Sequence, residues 1–147
     1  MRGVYLASVW LHVLAAMTWL GGMVVFVAAV IPYFRRQPAA IKTEFLDWFG
    51  RRFRLVSWTC FAVLAVTGTF NLWARGVRLA DFIRPEWHAT AFGQIVLLKL
   101  TLVAVAVLFT IFHERTASAA WARWAGRALL LVGLAIVGAA VMLVRTS

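Results

Sequence analysis

Acidic residues are scarce in this chain. It has five Asp and Glu against fifteen Lys and Arg, for a formal net charge of +10 over 147 residues. The five acidic residues all fall between four long apolar runs, at Glu44, Asp47, Asp81, Glu86 and Glu114. A soluble domain of this length needs many more charged side chains to cover its surface. The scarcity excludes an ordinary soluble fold, and with it the nucleic-acid-binding domain that a large positive charge would otherwise suggest.

Cysteine is nearly absent as well. The single Cys60 excludes an intramolecular disulfide, and no CxxC motif is available for metal or redox chemistry. Because Cys60 lies inside an apolar run, we expect it to be a small core residue. The sequence also contains no catalytic triad, nucleotide-binding loop or zinc signature, which favours a non-enzymatic role.

Apolar residues are abundant, at 64% of the chain, and the mean hydropathy is +0.89. A helix that crosses a bilayer needs about 20 apolar residues. Four segments are long enough, at about 4–34, 55–74, 91–112 and 128–144. They predict an all-α integral membrane protein, a four-helix transmembrane bundle that forms one domain over residues 1–147. The first run is too long for a signal peptide, so we expect it to be retained as a helix.

The basic residues predict an orientation. The first and third loops hold nine of them, and the termini and second loop hold five. The nine are Arg35, Arg36, Lys42, Arg51, Arg52, Arg54, Arg115, Arg123 and Arg127. The five are Arg2, Arg75, Arg78, Arg84 and Arg145. The positive-inside rule then predicts that loops one and three are cytoplasmic and that both termini lie outside.

The first loop has a helical pattern of its own. Ile41, Phe45, Trp48 and Phe49 follow i, i+4, i+7, i+8 spacing, and charged residues occupy the other faces. This pattern is typical of a short amphipathic helix that lies in the headgroup layer. We therefore expect a separate interfacial helix between the first two spans.

Four polar residues lie inside the predicted spans: His12, Thr67, Asn71 and Lys99. Polar groups in hydrocarbon are costly, so each one calls for a specific role. At about 1.5 Å per residue, all four fall roughly 5–12 Å below the outer end of their helix. Three helices thus bring polar groups to one level of the outer half of the bilayer.

Each of these residues has two interpretations. His12 shares a stripe with Trp19 and several small residues, where a helix or a flat cofactor can approach, so it is either a ligand or an interhelical hydrogen-bonding residue. Lys99 is either part of the site or extends its ammonium group to the surface. Asn71 is either a site residue or a helix-end cap. His88, in the second loop, is either a surface residue or a metal ligand.

A family resemblance is carried by four segments in order. His12-Val-Leu-Ala-Ala-Met-Thr-Trp-Leu-Gly-Gly22 resembles the H-x6-W-L-G-G opening of the copper-resistance protein CopD and its relatives. Residues 51–55, 66–71 and 92–100 resemble later segments of the same family. CopD is longer, so the resemblance implies a minimal four-helix member in a bacterial inner membrane.

A more distant resemblance is to HemJ, a four-helix protoporphyrinogen oxidase that binds a b-type haem. The histidine and lysine of that family correspond to His12 and Lys99. The arginine expected nine residues after the tryptophan is Ala28 in this chain. This departure argues against HemJ activity and leaves a haem site at His12 open.

The two resemblances imply different functions. The leading expectation is a copper-handling protein, for transport or tolerance, in which His12 would be the main ligand, with His88 or a methionine assisting; a haem protein is the alternative. In a haem b redox protein, His12 would be an axial ligand, and the second axial ligand would be Lys99, His88 or none. Arg75, Arg78 or Arg84 would pair with the propionates at the outer surface. The candidate cofactor site comprises His12, Trp19, Thr67, Asn71, Lys99, Arg75 and Arg78.

A third possibility is an accessory subunit of a larger membrane complex. The fourth predicted helix carries Gly133, Ala135, Gly138 and Ala139, and such small residues allow close helix contacts within the protein or with a partner.

Overall fold

The computed structural model of the chain describes the backbone of residues 2–115 and 119–145, with the side chains in those ranges except at 119, 120, 122 and 123. Its long helices are α1 (Arg2–Phe34), α2 (Ala39–Ala74), α3 (Ala91–Arg115) and α4 (Ala119–Arg145). All four contain a segment long and apolar enough to cross a membrane. The described residues form no strand. The predicted all-α class and the four membrane-spanning helices are confirmed.

α1 is not regular throughout. Its residues Phe26–Val30 form a π-helical turn, and the α-helix resumes at Ile31. Pro32 lacks a backbone N–H, and its ring would crowd the carbonyl of Ala28 in a regular α-helix. A widened turn directly before the proline relieves that crowding and lets the helix continue to Phe34.

The first loop is helical, as its pattern predicted, but its helix is not a separate element. Residues 41–49 are helical as expected, but they belong to α2, which runs without a break from Ala39 to Ala74. Their apolar face packs on α1: Phe45 stacks on Phe34 with ring centroids 4.2 Å apart, and Phe49 stacks on Phe26 at 4.7 Å. The same apolar spacing suits a helix that lies on a lipid surface and a helix that packs on another helix. Here the apolar face packs on α1.

α1 and α2 are antiparallel partners along most of their length. Trp19 packs on Phe61 with ring centroids 5.0 Å apart. Further towards the loop, Gly22 lies under the ring of Phe53, where an added Cβ would come within 2.6 Å of that ring. The buried residues of α1 are Ser8, Ala15, Trp19 and Met23. Ala15 and Trp19 belong to the stripe that the sequence predicted to face another helix.

Gly76 ends α2. It has a φ of +85°, and its N–H donates to the Trp73 carbonyl while the Val77 N–H donates to the Leu72 carbonyl. This is the Schellman arrangement, in which glycine takes the left-handed position that other residues avoid. A short 3-10 helix at Leu79–Ile83 and a single helical turn at Pro85–His88 follow.

Thr90 caps the start of α3. Its hydroxyl accepts a hydrogen bond from the Gly93 N–H at 3.0 Å and donates to the Trp87 carbonyl at 2.7 Å. Because the Trp87 carbonyl lies directly against Gly93, a Cβ at that position would collide with backbone. Glycine at 93 is therefore required by packing.

α3 packs on α4 through small and branched side chains. Val96 and Ala106 of α3 are 2% and 1% exposed, and Ala125 of α4 is fully buried. At one end, Phe109 lies against Trp124 with ring centroids 5.7 Å apart. Cys60, on α2, is buried as expected, at 6% exposure.

Contacts group the chain into two compact units, Met1–Arg78 and Leu79–Ser147, each with one pair of long helices. The prediction that the chain forms one domain is not tested by this grouping. Many large apolar side chains remain exposed on the spans, among them Met17, Val66, Leu108 and Leu131 at 65–71%. Such faces suit contact with lipid.

We expect Gly93→Ala to destabilise the second unit, because its Cβ must displace the Trp87 carbonyl and with it the Thr90 cap. The loss should be about 1–3 kcal/mol, as for other overpacking changes. Thermal unfolding in detergent or lipid measures it. Gly126→Ala is the matched control, since a Cβ there meets no atom within 4 Å and should leave stability unchanged or slightly higher. Equal stability of the two variants would contradict the expectation.

Candidate functional site

His12 and Thr67 meet across the interface of α1 and α2. Nδ1 of His12 lies 2.8 Å from Oγ1 of Thr67. The Thr67 hydroxyl donates its proton to the Val63 carbonyl at 2.6 Å, one turn back on its own helix. A hydroxyl has only one proton to give, so its contact with His12 requires Nδ1 to be the donor. The chain of bonds runs from imidazole to hydroxyl to carbonyl.

This chain of bonds excludes the neutral tautomer that carries its proton on Nε2. Whenever the ring of His12 is neutral, its proton lies on Nδ1 and its lone pair on Nε2. Protein ligands to metals are commonly held this way, with the second ring nitrogen donating to an oxygen that fixes the tautomer and the ring orientation. The arrangement gives Nε2 of His12 the chemistry of a ligand nitrogen.

Gly68 makes room for the imidazole. A Cβ at this position would lie 3.2 Å from Cε1 and 3.7 Å from Nδ1 of His12. The first distance is tighter than ordinary van der Waals contact, so even alanine would push on the ring. The Thr67-Gly68 pair thus supplies both the hydrogen-bond acceptor and the space for His12.

Two further polar atoms lie one turn from this pair. Ser8 precedes His12 by one turn and Asn71 follows Thr67 by one turn, so in antiparallel helices both are displaced towards the same end. Oγ of Ser8 and Oδ1 of Asn71 are buried, and neither has a hydrogen-bond partner among the residues that the structure describes. Buried polar atoms are almost always paired, and exceptions call for water, an ion or a ligand as the missing partner.

Tyr5 and Arg75 stand at the end of the helix pair. Nε of Arg75 donates to the Tyr5 hydroxyl at 3.2 Å, and Arg75 is exposed. Polar side chains thus follow one another for two turns, from His12 through Ser8 to Tyr5 and from Thr67 through Asn71 to Arg75.

An apolar groove lies beside the hydrogen-bonded pair. It has a volume of about 320 Å³ and is lined by Leu11, Ala62, Val63, Val66 and Thr67. Its walls come from α1 and α2 alone. Apart from the Thr67 hydroxyl, its side chains are hydrocarbon, which suits an apolar body and gives no ligands for a bare ion.

The predicted site residues are divided between the two units. His12, Trp19, Thr67, Asn71 and Arg75 belong to the first, with Arg78 exposed just after α2. Trp19 is 4% exposed and packs on Phe61, so its ring serves the helix interface.

Lys99 and His88 belong to the second unit. Lys99 is partly exposed on α3. His88 donates from Nε2 to the Phe82 carbonyl at 2.8 Å, a bond that ties the single helical turn to the preceding 3-10 helix. Within the described residues no three His, Cys, Asp or Glu side chains come together as a metal site.

Sequence reasoning missed Tyr5, Ser8 and Gly68. The sequence could have indicated Ser8 and Tyr5, because they precede His12 by four and seven residues and so lie on the same face of the helix. Gly68 could be found only from the helix register, because nothing local shows that His12 lies opposite it.

Comparison with known proteins gives little further information. An uncharacterized protein of Aquifex aeolicus (strain VF5) is 28% identical over 137 residues, which covers 86% of each chain. No family model matches the chain, and no solved structure matches it. The resemblances to CopD and HemJ therefore stay predictions.

We expect Thr67→Val to remove the hydrogen bond of the His12 ring, because valine has nearly the same volume as threonine and no acceptor. The population of the Nδ1–H tautomer should fall, which the ¹⁵N chemical shifts of the imidazole measure. The free energy of unfolding should fall by about 1 kcal/mol. Thr69→Val, at an exposed position of the same helix, is the matched control. An unchanged tautomer population in Thr67→Val would contradict the assigned bond direction.

Proposed function

We propose that the chain is a membrane protein that binds a b-type haem, with Nε2 of His12 as an axial ligand, and that it serves electron transfer within the bilayer. The observation that supports this best is the bond chain from Nδ1 of His12 through the Thr67 hydroxyl to the Val63 carbonyl. It sets the tautomer that an Nε2 ligand needs before any ligand arrives.

The number of ligands favours haem over copper. Haem needs one or two protein ligands because the porphyrin supplies four nitrogens, whereas a protein copper site is built from several side chains. Among the described residues no three His, Cys, Asp or Glu side chains come together around His12 or elsewhere.

The surroundings of His12 agree with a flat, largely apolar cofactor. The groove lined by Leu11, Val63 and Val66 offers hydrocarbon surface beside the pair, and Gly68 removes side-chain bulk from the ring. We propose that these residues take the apolar part of the macrocycle.

We propose that the guanidinium of Arg75 pairs with a haem propionate. Its Nε contact with Tyr5 orients the guanidinium, and the terminal nitrogens of an exposed arginine can pair with a carboxylate. The buried atoms of Ser8 and Asn71 lie between Arg75 and His12 along the helices, where a polar edge of a ligand or water would satisfy them. Arg78 is a second candidate cation.

When bound, the haem would supply one-electron redox chemistry. The residues of this chain would orient the axial nitrogen, through Thr67, and keep water from the apolar side of the site, through α1 and α2. Thr67 would act as a positioning residue, since it touches His12 and sets the electron density that the imidazole offers.

Copper handling is the second candidate, and the ordered resemblance to CopD favours it. Its segments 12–22, 51–55 and 66–71 are brought together by the fold, with Gly22 on Phe53 and His12 on Thr67. In that case His12 would bind the metal with ligands beyond those that the described residues gather around it.

An absorption spectrum with metal analysis tests the proposal. We expect the protein purified from haem-replete cells to show a Soret band, and His12→Ala to abolish it. His113→Ala is the matched control, because His113 is exposed near the C-terminal end of α3, in the second unit, and it should retain the band. Thr67→Val should keep the haem with affinity reduced by about tenfold, the lower range for a ligand-orienting partner.

The other outcomes are equally clear. Bound copper without a Soret band would overturn the haem assignment in favour of copper handling. Neither metal nor haem, with other membrane proteins co-purifying, would overturn both in favour of an accessory subunit. A Soret band that survives in His12→Ala would show that the ligand lies elsewhere.

A further inference from the structure

The charges on α2 fix how it lies in a bilayer. Between Arg54 and Arg75 no side chain is charged. At about 1.5 Å per residue, residues 55–74 measure about 30 Å, which matches the hydrocarbon thickness of a bilayer. Arg54 and the turn before it must therefore lie at the headgroup level of one leaflet. The helix continues past that level to Ala39 without a break.

At this level α2 has a charged outer face. Phe45, Phe49 and Phe53, spaced by four, form its aromatic face, from which Phe45 and Phe49 stack on α1. Asp47, Arg51 and Arg54 follow i, i+4, i+7 spacing about half a turn away, and all three are exposed.

The order of charge along this face is specific. Arg54 lies nearest the hydrocarbon, Arg51 is one turn further out, and Asp47 is one turn beyond that. The i, i+4 spacing would allow Asp47 and Arg51 to pair directly. Within the described part of the chain, however, no ion pair links either arginine or Asp47 to an opposite charge. From the hydrocarbon outwards, the helix face thus presents a cationic position, at Arg54 and Arg51, followed by an anionic position at Asp47.

We propose that this face binds the headgroup of a phospholipid with a primary amine, a phosphatidylethanolamine. Its phosphate diester would accept hydrogen bonds from Arg51 and Arg54, and its ammonium would donate to Asp47. In that headgroup the amine follows the phosphate by two methylene groups, a reach comparable to one helical turn. The charges of the lipid headgroup are therefore complementary to those of the helix face, and they follow one another in the corresponding order.

Neighbouring lipid chemistries match less well. A phosphatidylglycerol has the phosphate and no cation for Asp47, so the carboxylate would face it unpaired. A phosphatidylcholine has the cation, but its quaternary ammonium has no N–H to donate. The amine is the group that distinguishes this site from the general attraction of basic residues to an anionic surface.

Native mass spectrometry of the full chain with defined lipids tests the proposal. We expect the protein to retain phosphatidylethanolamine over phosphatidylcholine by about two- to fivefold, the value of one exposed charge pair. Asp47→Asn should remove that preference and leave binding of phosphatidylglycerol unchanged or stronger. Arg51→Gln with Arg54→Gln should weaken retention of both lipids.

Matched controls separate a defined site from net charge. Arg35→Gln with Arg36→Gln removes two exposed cations from the turn before α2, and Glu86→Gln removes an exposed acid from the second unit. Both should leave the preference intact. Equal effects of the two arginine pairs would overturn the proposal, as would a preference that survives Asp47→Asn. All these side chains are exposed, so thermal unfolding should be unchanged and loss of lipid selectivity cannot reflect loss of fold.

Discussion

Hydrocarbon offers no hydrogen bonds, and this constraint shapes the whole chain. Backbone groups that cross a bilayer must pair within their own segment, which is why the described spans are helices bounded by charged residues and turns. The same constraint makes outward side chains apolar, as at Met17, Leu108 and Leu131. It also makes each inward polar group costly unless the protein supplies a partner, because no water is present to bond to it. The hydrogen bond between His12 and Thr67 is therefore a requirement of burying both groups in the membrane.

Hydropathy and charge placement were enough to predict four spanning helices, because both are local properties of the sequence. The first span was expected to end near Phe34 and the second near Ala74, and both helices end there. The length of α2 was not predictable in the same way. Residues 41–49 have a pattern that fits lipid or a partner helix equally, and only the register of α1 brings Phe26 and Phe34 opposite to take that face.

The candidate site shows the same limit. His12 and Thr67 stood out by composition, since each is polar within an apolar run. Their direct contact depends on which turn of α1 faces which turn of α2, and no single helix contains that information. Gly68 and Gly93 both lie in segments that suggested a family. The structure shows a different neighbour for each: the Trp87 carbonyl lies against Gly93, and the His12 ring lies against Gly68. Packing therefore accounts for one of these glycines and the candidate site for the other.

A purely structural role for His12 meets a difficulty in its surroundings. An interhelical bond between the ring and Thr67 would be complete in itself, with the hydroxyl already satisfied by Val63. It would not explain why buried polar atoms continue to Ser8 and Asn71, for which the described part of the chain supplies no partner. Leaving such atoms unpaired costs about 1–3 kcal/mol each. The ligand proposed above, if it reaches from Nε2 of His12 towards Arg75, would recover that cost, so one proposal would account for the unpaired atoms and for the orientation of the His12 ring.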